Sequence, residues 1–256
     1  MKVSIITVTF NSAQFLEQCI QSIIAQDYQD IEYIVIDGGS TDNTLDILLK
    51  YNFFITKWLS EKDEGMYHAI NKGIQLSSGD VIGTLHSDDL YASNDVVSKI
   101  VASFKLNNVK AIYGDIEYIS RNDTNKVVRQ WKGKSFNRFN FNFGWMPAHP
   151  SFYIFKSVLQ LGGDYDSFFS SSADYELMIR YLYNYNISTC YLPLLMVKMR
   201  IGGISNKNIQ NRIRANRFDY LAMKKNYIYF PWLVAKLKPL RKILQFKYAI
   251  FSPKYS

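Results

Sequence analysis

The chain has 256 residues, of which 48% are hydrophobic and 20% are charged. It is therefore long enough to bury a substantial core and too apolar to be disordered throughout. The formal net charge of +8 is unevenly placed, because residues 1–197 carry 16 basic and 21 acidic residues, whereas residues 198–256 carry 14 basic residues and one acid, Asp219. A slightly acidic main body argues against a nucleic-acid partner.

The cysteines and the apolar stretches limit the cellular context. Cys19 and Cys190 are far apart and favour neither a disulfide nor a thiolate metal site. No secretory leader precedes the first strand-like run, so we expect a reducing cytoplasmic location. The longest uncharged central stretch, residues 181–197, contains Asn, Ser, Thr and Pro and is short for a membrane span, so none is predicted there.

Strands and helices alternate along the first 90 residues. Four apolar, β-branched runs have strand length: VSIITVTF, IEYIVID, FITKWLSE and DVIGTLHSDD. A segment with helical spacing of its apolar residues follows each of the first three runs. This order predicts an α/β fold with a mostly parallel central sheet and helices on both faces.

The remaining elements are less regular. Helical spacing recurs in NDVVSKIVASFKLN and SADYELMIRYLYNY, and AIYGDIEYIS and KVVRQWKG are typical of strands. Residues 136–155 are rich in aromatic residues and Asn but have no clear period, which favours a loop region that forms one wall of a pocket. Ligands in open α/β sheets bind beyond the carboxyl ends of the strands, where Asp37, Asp63 and Asp88 are expected to converge.

Four blocks of the sequence resemble family 2 glycosyltransferases of the GT-A (Rossmann-like) fold, particularly bacterial members that build surface polysaccharides. The blocks are VSIITVTFNSAQFLEQCIQSIIAQDYQDIEYIVIDGGSTDNT, EKDEGMYHAINKGI, GDVIGTLHSDD and SSADYELMIR. The resemblance is specific over residues 3–89 and weaker to about residue 205. It implies a catalytic domain over residues 1–205, with a nucleotide-sugar half (1–90) and an acceptor half (91–205), followed by a basic helical extension (206–256).

The resemblance also implies an activity and its cofactor. Family members transfer a sugar, with inversion, from a nucleotide-sugar donor to an acceptor hydroxyl with the help of a divalent metal ion. For this chain we expect a UDP-sugar donor, Mn²⁺ or Mg²⁺, and a glycan or lipid-linked acceptor in the biosynthesis of bacterial O-antigen, capsule or exopolysaccharide. Sequence alone leaves the sugar, the linkage and the oligomeric state open.

The donor nucleotide is expected at the ends of the first two strands. Thr7, Thr9 and Asn11 offer polar groups at the end of the first strand, and Asp37 matches the family's acceptor for a base N–H. The other interpretation of IDGGST is a tight turn with a helix cap. Asp63 and Lys72 form a further predicted cluster, in which Lys72 places a point charge near a phosphate; the alternative is a charged loop beside a solvated helix face.

The predicted metal loop departs from the family pattern. Where members present Asp-x-Asp, this chain has His86, Ser87 and Asp88, followed by Asp89. Asp88 matches the carboxylate that reaches the metal, and hard divalent cations prefer such oxygen ligands. His86 is either a donor to ribose or phosphate, a nitrogen ligand that favours Mn²⁺, or an ordinary hydrogen-bonded histidine. Ser87 and Asp89 are predicted nucleotide or sugar contacts.

Asp174, in SSADYELMIR, matches the family's catalytic base. Its place at a helix start predicts a well-ionised carboxylate and a modestly weakened base. Trp145 and His149 are expected opposite this helix, where they contact a sugar or phosphate, unless they belong to an ordinary aromatic core. Arg200 precedes a glycine-containing loop and is a candidate phosphate contact.

The C-terminal segment, residues 230–256, has apolar residues at spacings of three and four among many lysines and arginines. Such a basic amphipathic helix suits the anionic inner face of the cytoplasmic membrane, and the alternative is a helix packed on the catalytic domain. Competing functions are a nucleotidyltransferase, for which TFNSAQF lacks a phosphate-binding loop, a nucleic-acid-binding protein, and an inactive glycosyltransferase-like protein.

Overall fold

The computed structural model describes residues 1–202, 209–236 and 238. The strands in this part of the chain are β1 (Val3–Thr9), β2 (Ile31–Asp37), β3 (Lys57–Ser60), β4 (Val81–Thr84), β5 (Leu90–Tyr91), β6 (Ala111–Ile119), β7 (Val127–Trp131), β8 (Tyr153–Phe155) and β9 (Thr189–Arg200). The α-helices are α1 (Leu16–Ile24), α2 (Thr44–Lys50), α3 (Met66–Leu76), α4 (Val96–Asn107), α5 (Lys156–Gly162), α6 (Ala173–Met178) and α7 (Ile209–Lys225).

All of these strands belong to one sheet in the order β3-β2-β1-β4-β8-β6-β9-β5, with β7 paired to β6. The predicted α/β fold with a central sheet flanked by helices is confirmed. The pairing is parallel among β3, β2, β1 and β4 and between β6 and β9. The pairs β4–β8, β8–β6, β6–β7 and β5–β9 are antiparallel, so the prediction of a mostly parallel sheet holds for the first half only.

The sheet separates two hydrophobic cores. Every residue of β1 is buried, and alternate side chains point to opposite faces, as the period of a strand requires. On one face α1 and α4 pack through Leu16 and Ile100, which are fully buried. On the other face α3 and α6 pack through Ile70 and Leu177 in a core rich in aromatic rings. The carboxyl ends of β1, β2 and β3 therefore lie at one edge between the two cores.

Residues 136–155, predicted as an irregular wall, contain two short 3-10 helices and β8. Helix α7 packs against α6 and the 3-10 helix at Ser167–Ser172. Val234 and Ala235 are buried in the same core as α6. The predicted amphipathic segment lies mostly outside the described residues, but its first part packs on the catalytic body. None of the helices within the described ranges has the length and apolar composition needed to cross a membrane.

Candidate active site

The loops after β1 and β2 are joined at the carboxyl edge of the sheet. Asn11 adopts a positive φ of 48°, and its backbone N–H donates to the Ser40 hydroxyl at 2.8 Å. Its side-chain oxygen accepts from the Thr41 N–H at 2.9 Å. The exposed Asn11 therefore fixes the relative position of the two loops, and its predicted contact with a nucleotide remains a prediction.

Asp37 ends β2 with its carboxylate fully buried. One oxygen, Oδ2, accepts from the N–H groups of Gly39 and Ser40 and from the Ser60 hydroxyl, at 3.1, 2.9 and 2.6 Å. These bonds build the tight turn that the sequence offered as an alternative. They also show that Asp37 serves the loop internally, whereas its contact with a nucleotide base stays a prediction.

The two threonines of β1 differ in what their side chains do. Thr7 is fully buried within the strand and accepts from the Tyr33 hydroxyl at 3.2 Å, so its side chain belongs to the core and does not reach the edge. Thr9 lies at the edge, where its hydroxyl is buried with no hydrogen-bond partner among the described residues. A buried polar atom of this kind is usually satisfied by water or a ligand. Thr9 is therefore a better candidate than Thr7 for a nucleotide contact.

Asp63 is the centre of a charged cluster beside this edge. Its Oδ1 contacts Nδ1 of His68 at 3.0 Å and Nζ of Lys72 at 2.7 Å, and Lys72 also pairs with Glu61. The other oxygen of Asp63 is buried and has no partner within the described chain. Asp63 and Lys72 therefore do come together as predicted, with one carboxylate oxygen left for another group.

Sequence reasoning overlooked Phe10. This side chain is 58% exposed at the end of β1 and lies next to Gly38, whose missing Cβ would also face the free oxygen of Asp63. A flat ring, a glycine and an unpaired carboxylate oxygen thus border one space. The motif TVTFN could have indicated this exposed ring, because an apolar side chain directly after a buried strand lies beyond the core.

The predicted metal loop follows β4 and is held from two sides. Ser87 shares a hydrogen bond of 2.9 Å with Ser12, in the loop after β1. The buried Asp89 accepts from the backbone N–H of Arg200 at 3.2 Å. The Arg200 guanidinium in turn donates to the Asp88 carbonyl and to Gln18, so the Arg200 side chain supports the loop. Its contact with a phosphate remains a prediction.

The side chains of the loop suit a divalent cation that is held largely by a ligand's oxygens. Asp88 is half-buried at the site. Asp89 Oδ2 is buried without a described partner, and burial together with the charge of Asp88 raises the pKa of Asp89 well above its usual range. The described residues contain no group of three or more metal-binding side chains. One or two carboxylates are enough for Mg²⁺ or Mn²⁺ when phosphates and water complete the coordination.

His86 points to a second, more aromatic part of the site. Its ring stacks on that of His149, with centroids 6.1 Å apart, and His149 Nε2 lies 2.7 Å from the Tyr165 hydroxyl. Tyr165 in turn stacks on Tyr67 at 5.4 Å. Burial lowers the pKa of both histidines to about 4, with His149 adding to the effect on His86. Both imidazoles are therefore neutral near pH 7 and able to accept or donate one hydrogen bond.

Asp174 stands in the first turn of α6, beside this aromatic group. Burial raises its pKa, while the charge of Lys238 and hydrogen bonds from the Tyr175 N–H and the Tyr67 hydroxyl act in the opposite direction. The prediction of a weakened base is therefore wrong in sign, because desolvation outweighs the helix terminus. The charges of Asp88 and Asp174 both oppose the lowering of the His86 pKa. Tyr67, which bonds Asp174, lies edge to face against His149 at 6.5 Å, and His149 stacks on His86, so a chain of rings connects Asp174 with the loop of Asp88.

Two residues depart from the expected arrangement. Trp145 is buried against Tyr113 and Phe141, with centroids 6.0 and 5.8 Å away, so it belongs to the aromatic core. Lys238 was not predicted as a site residue, yet its Nζ lies 3.4 Å from the Tyr175 ring centroid and 2.8 Å from Asp219. No local pattern in the sequence predicts that Lys238, 64 residues after Asp174 in the chain, acts on the pKa of Asp174.

Unsatisfied buried atoms collect among the predicted residues. Thr9 Oγ1, Asp63 Oδ2, Asp89 Oδ2 and Arg200 Nε all lack a hydrogen-bond partner among the residues that the structure describes. Leaving such groups unpaired costs about 1 to 3 kcal/mol each. Their concentration around one sheet edge is typical of a surface that a polar ligand completes.

Comparison with known proteins shows the family to which the chain belongs. The sequence profile for glycosyl transferase family 2 matches residues 4–160. The chain is 35% identical over 181 residues to an uncharacterized glycosyltransferase from Mycobacterium tuberculosis, covering 70% of this chain and 68% of the relative. It is 30% identical over 212 residues to a PGL/p-HBAD biosynthesis glycosyltransferase from Mycobacterium bovis, covering 79% and 78%.

Solved structures show the same fold at low sequence identity. TarS from S. aureus in complex with UDP-GlcNAc is 16% identical, with a TM-score of 0.69 over 98% of this chain and 74% of that one. The mannosyltransferase PcManGT from Pyrobaculum calidifontis, in complex with GDP-Man and Mn²⁺, is 15% identical with a TM-score of 0.66, over 98% and 76%. The fold is therefore GT-A, and the chain belongs to glycosyl transferase family 2.

Proposed function

We propose that the protein is an inverting glycosyltransferase that moves a sugar from a UDP-sugar to an acceptor hydroxyl. The observation that carries this proposal is the chain of rings formed by Tyr67, His149 and His86. Through the hydrogen bond from Tyr67, it connects Asp174 in the second half of the chain with the loop of Asp88 in the first half. Sugar transfer needs a cationic centre near the leaving diphosphate and a base near the acceptor, and in this proposal Asp88 and Asp174 provide for each.

In this proposal the donor occupies the half formed by residues 1–90. The nucleotide base lies along Phe10 and Gly38, Thr9 and Asp63 supply hydrogen bonds through their unpaired oxygens, and Lys72 faces a phosphate. The UDP-GlcNAc and GDP-Man bound by the two structural neighbours support a nucleotide-sugar donor in general. Within that class we propose UDP, because Asp37 matches the residue that accepts the uracil N–H in the family that the sequence resembles.

Asp88 is proposed to hold Mn²⁺ or Mg²⁺, assisted by His86 or Asp89. When bound, such an ion stabilises the negative charge that develops on the leaving diphosphate. His86 is neutral near pH 7, so its ring nitrogen is available as a ligand, and a nitrogen ligand favours Mn²⁺ over Mg²⁺. The Mn²⁺ complex of a structural neighbour supports a divalent ion in this fold.

The acceptor is proposed to enter the half formed by residues 91–205. Its hydroxyl oxygen attacks the anomeric carbon as the bond from that carbon to the diphosphate breaks, and the hydroxyl proton passes to Asp174. The raised pKa of Asp174 suits this task, because a carboxylate that has lost part of its hydration binds a proton more tightly. His149 and Tyr165 form a hydrogen-bonded pair that can position a sugar hydroxyl.

For the pathway we propose a lipid-linked glycan intermediate of bacterial surface polysaccharide as the acceptor. The name of the Mycobacterium bovis relative places that protein in PGL/p-HBAD biosynthesis, which supports a specialised acceptor of this general kind. An acceptor anchored in lipid requires the enzyme at the cytoplasmic face of the membrane, where residues 230–256 would contact anionic lipid.

A thermal-shift panel of nucleotide sugars tests the donor and the cation together. UDP-, GDP- and dTDP-sugars are each added with Mn²⁺, with Mg²⁺ or with a chelator, and every hit is followed by an assay of its hydrolysis. We expect stabilisation by a UDP-sugar that increases with Mn²⁺, followed by slow release of UDP. Stabilisation by none of the nucleotide sugars, in any metal condition, would contradict the proposal.

A further inference from the structure

Five large aromatic side chains, which we call the aromatic surface, stand in solvent around the end of α7. They are Phe168, Tyr227, Tyr229, Phe230 and Trp232, with exposed fractions of 66, 83, 68, 68 and 56%. Single exposed aromatic residues are common, but a group of five within one region marks an interaction site. The group lies outside the part of the chain that the family profile matches.

The exposure is built into the backbone of this segment. Tyr227 and Phe230 adopt positive φ angles of 57° and 49°, which are unfavourable for residues with a Cβ. Their neighbours hold the segment in place, because Asn226 is buried and bonded to Asn184 at 2.7 Å, and Ile228 is buried in the core. Buried and exposed residues thus alternate, and the aromatic rings are turned outward by an anchored chain.

The aromatic surface is also continuous with a cavity and with basic residues. A cavity of about 540 Å³ lies between Phe168 and Tyr227, and Leu221 and Lys224 form part of its wall. Lys236 stands over the Trp232 ring at 5.8 Å. The one acid at the cavity, Asp166, is already paired with Lys225 at 2.9 Å. Phe168 and Tyr227 therefore share a cavity with Lys224, and Lys236 lies beside Trp232.

This combination identifies the class of partner. Tyr and Trp concentrate where a membrane's hydrocarbon region meets its headgroups, since each ring has an apolar body and a polar tip. Lysines beside them attract anionic phosphate groups. A protein partner would need acidic complementarity of defined shape, whereas a bilayer accommodates a curved aromatic surface without it.

We infer that the aromatic surface is where this protein inserts into the headgroup region of an anionic phospholipid membrane. The inference deepens the proposed function and rests on it for the lipid-linked acceptor alone. The 3-10 helix that carries Phe168 leads directly into α6 and Asp174. Docking through this surface would place the segment that leads into α6 next to the bilayer.

Vesicle flotation of the full chain tests the inference. The test variant carries Tyr229→Ser, Phe230→Ser and Trp232→Ser, and the control carries Leu49→Ser, Phe53→Ser and Phe54→Ser, which remove three exposed apolar side chains around α2. With phosphatidylglycerol and phosphatidylcholine vesicles we expect the test variant to lose about tenfold in bound fraction and the control to match the wild type. Vesicles of phosphatidylcholine alone should bind the wild type much less.

A second measurement keeps the result independent of folding and of catalysis. Trp232 fluorescence should shift to shorter wavelength when anionic vesicles are added, and Trp232→Phe should remove that shift. Slow hydrolysis of the donor in the absence of vesicles reports the proposed activity separately and should be the same in both triple variants. Flotation of the test variant at the wild-type level would overturn the inference.

Discussion

The donor side and the acceptor side of the site are built in different ways. On the donor side Asp37 and Asp63 are held by short hydrogen bonds or ion pairs from nearby groups, such as those from Ser60 at 2.6 Å and Lys72 at 2.7 Å. On the acceptor side the titratable groups are buried among aromatic rings, and burial shifts the pKa of His86, His149 and Asp174. A rigid charged frame suits binding, whereas a desolvated group suits proton transfer.

The largest effect is expected from Asp174→Asn on the acceptor side. If Asp174 accepts the proton of the attacking hydroxyl, its replacement should lower the transfer rate by about 10² to 10⁴-fold, since an amide cannot act as the base. Stabilisation by the nucleotide sugar in a thermal-shift assay should be unchanged. Asp46→Asn, on an exposed face of α2, is the control and should keep full activity. Full activity in Asp174→Asn would reject the assignment.

Asp88→Ala tests the border between the two sides. Loss of the carboxylate should lower transfer by about 10² to 10³-fold, a range comparable to the removal of one group that stabilises a developing charge. Added Mn²⁺ should no longer increase stabilisation by the nucleotide sugar, while stabilisation by the nucleotide alone persists. Thermal-shift titrations with and without Mn²⁺ measure both, and an unchanged metal response would remove Asp88 from the proposed metal site.

The donor side could largely be predicted from the sequence, and the acceptor side could not. Asp37, Asp63 and Asp88 were foreseeable because each follows a clear apolar run, and parallel strands end at one edge. Phe10 was overlooked, and Thr7 was misjudged because a hydroxyl within a strand can face either the core or the edge. The local pattern predicts the strand but not which side chains a neighbouring strand will satisfy, as Tyr33 does for Thr7.

The acceptor side depends on contacts between distant segments. Asp174 was found through a motif, but burial raises its pKa while Tyr67 from α3 and the distant Lys238 oppose the rise, and no local pattern brings these groups together. Strand β9 was also missed, because Pro193 interrupts its apolar run. Its pairing with β6 shifts register around Gly114, where an added Cβ would lie 2.8 Å from the Leu194 carbonyl.

A pH profile should separate the two sides through one lysine on each. Lys238 opposes the rise in the pKa of Asp174, so Lys238→Gln should raise that pKa further and move the acid limb of activity to higher pH. The rate deficit should therefore be large at low pH and fade as the pH rises. Lys72→Gln on the donor side should instead raise KM for the donor across the whole range. Equal, pH-independent losses in both variants would contradict the distinction.

The smallest expected effect is on stability, and it compares His149 on the acceptor side with His68 on the donor side. Burial lowers the pKa of His149 from 6.5 to about 4, so between these values the unfolded chain binds the proton more readily than the folded one. Stability is then fully present above pH 6.5 and declines as the pH falls towards 4, by about 3 kcal/mol. His149→Gln, which can still bond Tyr165, should flatten this decline in urea unfolding at several pH values.

His68, whose side chain is 39% exposed, is the matched position, and His68→Gln should leave the decline in place. The same slope in His149→Gln as in the wild type would show that burial of this imidazole does not govern the acid stability of the acceptor side.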